Sequence, residues 1–599
     1  MVTRSPALSV VLLLSLSFSR SAAQSQQSIP DAPSPQQQTV IRSSVRLVQV
    51  SVVVEDKKGN PVPDLKQEDF TVLDEGKPQH IAFFSAPLPA IAAQPKTPSA
   101  PLLPANVFTN RYDLKGQETP GAVTVVLFDA LNTAPQDQSF VRKEVIHFLQ
   151  TLKPQDHVAV YGLTTQLLIL HDFTRDSADL VAAAQHFSPK ELAAFDATNT
   201  PNIDLLTLGA DPQWANLQNS LNNANGIIGD QYTQDRVAMT VEAMNVIANH
   251  VSSISGRKSI VWISGGVPIQ IGMARIGTNA YGGSSAIGDT STANRLPRPD
   301  RDAAKFDNAL QQVAETLNRF NIAMYAIDAK GVELDPTMDV SGRGRRLSDQ
   351  VRDTSVLNAE QDSRDSAQLL ADRTGGLAFF GNNDIRGAIR RAFDDGRYAY
   401  NIAFYPSHGE WDGKFRKIKI ESKQGLKLRY RSGYYASPDR TDPKEVIVEA
   451  LHQAADSPLD ATNLGMIISG KSTKDPHILE LHIGIDPKQL LLQDSGDHRK
   501  GAVDLFFLQR DATGKQVAAE EQHIELNLEE KQYEYLSKAA MVLDRHVTVT
   551  PRATELRVVL RDAGSGSLGS VTLPTKAFLP KSGNSPTLEN PPTLMKQPN

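Results

Sequence analysis

The chain has 599 residues and a mass of 65.3 kDa, too long for one core, so roughly three to five domains are expected. Its hydrophobic (40%) and charged (22%) fractions are ordinary for globular proteins, and a net charge of −6 offers no global basic field to nucleic acid or an anionic membrane. It contains no cysteine, which excludes disulfides, thiolate zinc sites and cysteine nucleophiles together.

The N-terminus reads as an export signal over 1–23. Arg4 supplies a positive start, Ala7–Phe18 an apolar run, and Ser21-Ala22-Ala23 a small-residue cleavage site before Gln24. The apolar run is short for a bilayer span, and no later segment reaches about 18 apolar residues. A secreted or periplasmic protein without a transmembrane segment is therefore expected. Residues 24–43 are rich in Gln, Ser and Pro and read as a disordered linker. Over 44–85, Val48, Val50, Val52 and Val54 mark a strand with one buried face. Lys58-Gly59-Asn60-Pro61 signals a turn, and two more strands flank Asp74-Glu75-Gly76-Lys77. Residues 86–118, rich in Pro and Ala, read as a linker.

From 119 to 396 strands alternate with helices. Val123–Phe128 is a continuous apolar strand of the kind found inside parallel sheets. Val141, Val145, Phe148 or Leu149, and Leu152 mark the helix that follows. His157–Leu163 and Leu167–Phe173 lie too close for a crossover and are expected to pair antiparallel. The helix marked by Val237, Val241, Met244, Ala248 and Val251 leads to the strand Ser259–Ser264. The helix marked by Phe306, Leu310, Val313 and Leu317 leads to Ile322–Asp328. A last helix ends at Thr374-Gly375-Gly376, before Leu377–Phe380. This order predicts an α/β, doubly wound open sheet with one antiparallel edge. Segments 188–232, 268–300 and 329–360 show no clear period and read as long inserts, either functional or flexible.

Three strands over 397–436 carry alternating basic residues, with Lys417, Lys419, Lys427, Arg429 and Arg431 assigned to a solvated face. The strands before 86 are too few for a core of their own and are expected to pair with these, so that the α/β unit is inserted into a small β-domain. Short alternating strands over 437–580 predict a C-terminal β-sandwich, and 581–599 a disordered Pro-rich tail.

The runs VVLFDALNT, Gly256–Pro268, Leu370–Gly376 and KFRKIKIE…LKLRYRSGYY, with the leading VQVSVVVEDKKGNPVPDLKQEDFTVLDEG, resemble acidobacterial-type proteins with a von Willebrand factor A-related domain. The resemblance covers roughly 44–436. It implies an exported protein with a six-stranded von Willebrand A-like (Rossmann-like) sheet that binds a protein partner, often through a metal-ion-dependent adhesion site. In that group the site uses Asp-x-Ser-x-Ser after the first strand, a distant Thr, and an Asp ending the fourth strand. Here the loop reads Asp129-Ala130-Leu131-Asn132-Thr133, the fourth strand ends Ser264-Gly265, and Thr233 is the candidate distant Thr.

The metal candidates are therefore Asp129, Thr133 and Ser264, joined by Asp328 at the end of the next strand, about 10 Å from Asp129 if the strand order is the family's. Three oxygens with waters would suffice for Mg²⁺ or another divalent cation. Plain structural roles stand beside this reading. Thr133 is placed to N-cap the helix begun by Pro135, Asp129 to accept turn N–H groups, and Asp328 to cap a turn. Arg257-Lys258 reads as a cationic pair at a helix C-terminus. No HExxH, GxSxG, Walker A or GxGxxG pattern stands in a catalytic context. Three functions remain open: a non-enzymatic, adhesion-type protein binding a partner at the carboxyl edge of the sheet, a metal-free structural or envelope scaffold, and, least favoured, a hydrolase using Asp129 and Asp328 with a metal.

Overall fold

A computed structural model describes residues 47–87, 103–114, 122–187, 212–266, 310–331 and 361–578, apart from short gaps and the side chains of 212–230 and Thr233. The leader, the 24–43 linker, the segments 188–211, 268–300 and 332–360, and the tail lie outside the described residues.

Four strands precede the α/β unit: β1 (Val48–Glu55), β2 (Phe70–Asp74), β3 (Lys77–Gln79) and β4 (Ile81–Ser85). A further short strand, β5 (Val107–Thr109), lies in the stretch read as a linker. The α/β unit contributes β6 (Ala122–Asp129), β7 (Val158–Leu163), β8 (Leu167–Thr174), β9 (Arg257–Ser264), β10 (Ile322–Asp328) and β11 (Leu377–Phe379). Its helices are α1 (Pro135–Leu149), α2 (Ser177–His186), α3 (Pro212–Val251), α4 (310–319), α5 (363–374) and α6 (Ile385–Arg397). α3 corrects the sequence reading: its 40 residues extend helix through 212–232, where no period was legible.

The six strands run in the order β11-β10-β9-β6-β7-β8, parallel except for the antiparallel edge β8. Continuous apolar strands such as Val123–Phe128 suit this sheet because both of its faces are covered. One core joins Leu127, Ile260, Trp262 and Met324 to α3, α4 and α5; the other joins Val126, Val261 and Tyr325 to α1, α2 and α6. Close backbone approach fixes one edge. A Cβ on Gly376 would lie 1.8 Å from the Met324 carbonyl oxygen, and Gly375 turns the chain there at φ +78.

After the unit come β12 (Ala399–Phe404), β13 (Phe415–Ser422), β14 (Lys427–Arg429) and β15 (Gly433–Tyr435). They interleave with the first four strands in two sheets, β14-β1-β12-β4 and β15-β13-β2-β3, around a core of Val50, Val52, Val72, Tyr400, Ile402 and Ile420. One sequence reading fails on this sheet. Lys417, Lys419 and Lys427 are exposed, but Arg429 and Arg431 are not solvated. Arg431 is 5% exposed and donates to the backbone and side-chain oxygens of Asn318. Arg429 donates to Asp395 at 2.6 Å and to Glu55 at 3.3 Å. The α/β unit covers that face, so guanidinium groups there must find buried partners.

Arg257 is likewise buried. Instead of serving a helix end, it donates to the Tyr325 hydroxyl at 2.9 Å and to the Gly375 carbonyl. Tyr325 in turn donates to Asp395, which closes a chain of charges through Arg429 and Glu55 to Arg391. Lys258 keeps part of its expected role, donating to the Ile254 carbonyl just beyond α3.

The C-terminal region holds α7 (Lys444–Asp456), β16 (Met466–Ser472), β17 (Ile478–Ile485), β18 (Gln493–Ser495), β19 (His498–Arg510), β20 (Gln516–Glu529), α8 (Glu530–Ala539), β21 (Met541–Thr548), β22 (Glu555–Asp562) and β23 (Leu568–Pro574). Two sheets share the core of Met466, Leu481, Leu505, Phe507, Val558 and Leu573. β5 extends the first of them, in the order β21-β17-β16-β5. The linker reading of 86–118 is thereby corrected. Asn110, fully buried, donates to the Ala461 and Leu464 carbonyls and accepts from the Met466 N–H, so its amide is satisfied inside the sandwich.

Candidate functional site

The strand order reverses at β6, where the chain leaves toward β7 on one side and β9 pairs on the other. In open α/β sheets the crevice beyond the strand carboxyl ends at such a point is the usual ligand position. Register places Asp129 opposite Ser264, and Ser264 opposite Asp328, in one row across three adjacent strands. Period-two alternation puts all three on the α3 face, since Leu127, Trp262 and Ala326, two residues earlier, belong to that core.

Asp129 is 0% exposed. Its Oδ2 accepts from Asn132 Nδ2 at 2.8 Å, Trp262 Nε1 at 2.9 Å and Ser264 Oγ at 2.9 Å. Its Oδ1 accepts from the Asn132 N–H at 3.0 Å. Four donors use the roughly four acceptor positions of a carboxylate. Burial pushes its pKa above the ordinary carboxylate value, while the bonds from Asn132, Ser264 and Trp262 act in the opposite sense. Asn132 also donates to Thr240 and accepts from Arg236 Nε at 3.0 Å. Arg236 is itself buried, so its guanidinium acts on Asp129 through one intervening amide.

The side chains of these residues are engaged with one another and with nearby backbone. Thr133 Oγ1 donates to the Asp129 carbonyl at 2.5 Å and accepts from the Gly265 N–H at 2.9 Å, which commits it to closing the strand-to-loop corner. Nor does Thr133 cap the helix: the N-cap of α1 is Ala134, without a side-chain bond. Leu131, at the middle ligand position, is 1% exposed and belongs to the α3-face core. A side chain at 265 is excluded too, because a Cβ there would meet the Asn132 carbonyl oxygen at 2.9 Å and Thr133 Cα at 3.0 Å. Asp328 turns elsewhere: it accepts from the Lys330 N–H at 3.0 Å and faces Arg364 of α5 at 4.0 Å. Thr233 lies in α3 with its side chain outside the described residues. Among the described residues no group of three or more His, Asp or Glu is placed to hold a metal.

Sequence reasoning brought Asp129, Ser264 and Asp328 to one row but missed Trp262, Asn132, Arg236 and Thr240. A signal for them existed. Trp262 shares strand parity with Ser264, and Arg236 and Thr240 stand at i,i+4 on the helix face that carries Val237 and Met244. What the arrangement offers is a stiff corner, with the acid sealed beneath it. Among the described residues, exposed parts of the rim include Thr165 and Gln166 and the loop 381–384.

No protein-family model matches the chain, and no curated protein does. Among solved structures it is similar to an aerotolerance-related membrane protein from Bacteroides fragilis (11% identity, TM-score 0.22, 46% of this chain and 98% of that one). It is also similar to the PilB minor pilin from Streptococcus sanguinis (12%, 0.23, 47% and 61%) and to three N-terminal domains of the type V pili tip protein Mfa5 from Porphyromonas gingivalis (9%, 0.24, 84% and 76%). At TM-scores this low the likenesses define neither fold nor function. No helix among the described residues is long and apolar enough to cross a membrane.

Proposed function

We propose that the chain is an exported, non-enzymatic protein-binding protein of the von Willebrand factor A-related kind. It docks a protein partner at the carboxyl edge of its six-stranded sheet and does so without a cation. The observation that carries this reading is the saturated carboxylate of Asp129, held by Trp262, Ser264 and Asn132 in the row where the adhesion site of that group lies. With three donors on Oδ2, one on Oδ1 and no exposure, the carboxylate is engaged by the protein itself and is shut off from solvent and substrate. What the described residues offer is shape: a rim whose exposed positions include Gln166 and Asn382, available to be read by a partner.

The test has two arms. Calorimetric titration of the full chain with Mg²⁺, Mn²⁺ and Ca²⁺ is expected to give no heat, with no shift in thermal unfolding. Heat that disappears in Asp129→Asn would restore the cation-dependent reading. In the second arm, partner capture from the envelope of the source organism is compared between wild type, a rim variant (Gln166→Arg with Asn382→Arg) and a control at the opposite edge of the sheet (Gln150→Arg). Loss confined to the rim variant supports docking there. Equal capture by all three favours the scaffold reading, which has its own support in the buried chain Arg257–Tyr325–Asp395–Arg429–Glu55–Arg391 that ties the unit to the β-domain.

A further inference from the structure

Among the described residues the sandwich carries one long open strand edge: β20 is 14 residues long and pairs there with β19 alone. The other sheet edges among the described residues (β3, β4, β5, β8, β11, β14, β15, β18, β21 and β23) are three to eight residues long. Long edges are ordinarily blunted by proline, lysine or a bulge. β20 has no proline and no lysine, and its ladder to β19 shifts register only at Gln509/Arg510, near its first residue.

Its side chains sort by face. Ile524, Leu526 and Leu528 point to the sandwich core, whereas Glu521, His523, Glu525 and Asn527 stand exposed on the outer face. His523 is held by Asp504 at 2.6 Å. Glu520, Glu521 and Glu525 form no ion pair among the described residues. Glu530, just beyond, is neutralised by Arg499 at 2.8 Å. A second copy is a poor occupant: antiparallel pairing centred on His523 would set Glu521 of one chain against Glu525 of the other, and like charges directly opposite are destabilising.

We propose that the free edge of β20 accepts an extended basic segment of a partner protein as an added strand. The segment would alternate Lys or Arg, beside Glu521 and Glu525, with aliphatic residues that continue the core at Ile524 and Leu528. Backbone hydrogen bonds supply the affinity, and the acidic row selects against acidic strands and self-association.

The probe is a lysine–valine alternating peptide of about ten residues, titrated into the full chain by fluorescence anisotropy. Controls are a glutamate–valine peptide and the basic peptide with alternate amides N-methylated. The basic peptide is expected to bind, and hydrogen exchange over 516–529 to slow on binding. Glu521→Lys with Glu525→Lys, both exposed and neutral to folding, is expected to weaken binding about tenfold, since two cross-strand pairs turn from attraction to repulsion. No binding of the basic peptide overturns the proposal. So does equal binding of its N-methylated form, which would mark mere surface charge attraction.

Discussion

Asp129→Ala separates a sealed hydrogen-bond centre from a metal site. The substitution removes the acceptor of four donors. Of these, Ser264 Oγ has another partner within reach, the Gly266 carbonyl at 3.2 Å, and Asn132 Nδ2 keeps its second N–H on Thr240 Oγ1. The Asn132 N–H and Trp262 Nε1 would be orphaned in the core, at about 1–3 kcal/mol each. The lost attraction on buried Arg236 adds to this, and a loss of about 4 kcal/mol is expected. Urea unfolding in the presence of a chelator, followed by tryptophan fluorescence with Trp262 buried in the affected core, measures it. Trp262→Phe should cost about 2 kcal/mol, and the double variant clearly less than the sum, because both break the same bond. An open adhesion-type site predicts the reverse, since removing an uncompensated carboxylate without metal leaves stability unchanged or raised. Full stability of Asp129→Ala in chelator, within about 1 kcal/mol, would refute the sealed centre.

Two pH-linked outcomes accompany this. Burial lowers the pKa of Lys258 from 10.5 to about 8. The unfolded chain therefore binds more protons between those values, and stability should rise with pH across that window. Below it the buried charge costs about 3 kcal/mol. Lys258→Met, which gives up only the bond to the Ile254 carbonyl, should stabilise the protein by about 2 kcal/mol at neutral pH and flatten that rise in thermal scans. A variant less stable than wild type at pH 7 would show that the ammonium is better solvated than its burial suggests. Asp172 behaves in the opposite sense. Burial alone would raise its pKa, but the hydrogen bond and charge of His250, with the bond from Tyr161, bring it down to about 2. Its contribution is present above the ordinary value of 3.8 and is lost as pH falls toward 2. With the side chain 48% exposed, screening reduces the effect to about 1 kcal/mol. His250→Gln should remove more than half of that acid sensitivity, and an unchanged acid limb in the variant would assign it to other carboxylates.

Much of the α/β unit was legible because its strands are buried on both faces and read as unbroken apolar runs. Val123–Phe128 and Ile322–Asp328 cannot be mistaken for solvated strands. The strand ends then put Asp129, Ser264 and Asp328 at the carboxyl edge of the sheet without any structure. The fate of Asp129 was not legible. Whether a carboxylate binds a cation or accepts an indole N–H depends on which side chains converge from elements 100 residues apart, as Arg236 and Trp262 do. Arg429 and Arg431 misled for a related reason. An alternating basic pattern identifies two faces of a strand but not what packs on the second, and here that is α4 and α6. β5 was lost to composition, because its three residues lie between proline-rich neighbours and owe their pairing wholly to β16.

That short strand has a practical consequence for dissecting the molecule. Residues 107–110 belong physically to the C-terminal sandwich, yet they precede the α/β unit in the chain, and β1 to β4 close against strands that follow it. The polypeptide is sewn in overlapping stitches. A fragment cut at 118 and 397 leaves two half-built neighbours, and one beginning at 437 would start with a bare seam along β16. Expression boundaries should therefore keep 47–578 whole.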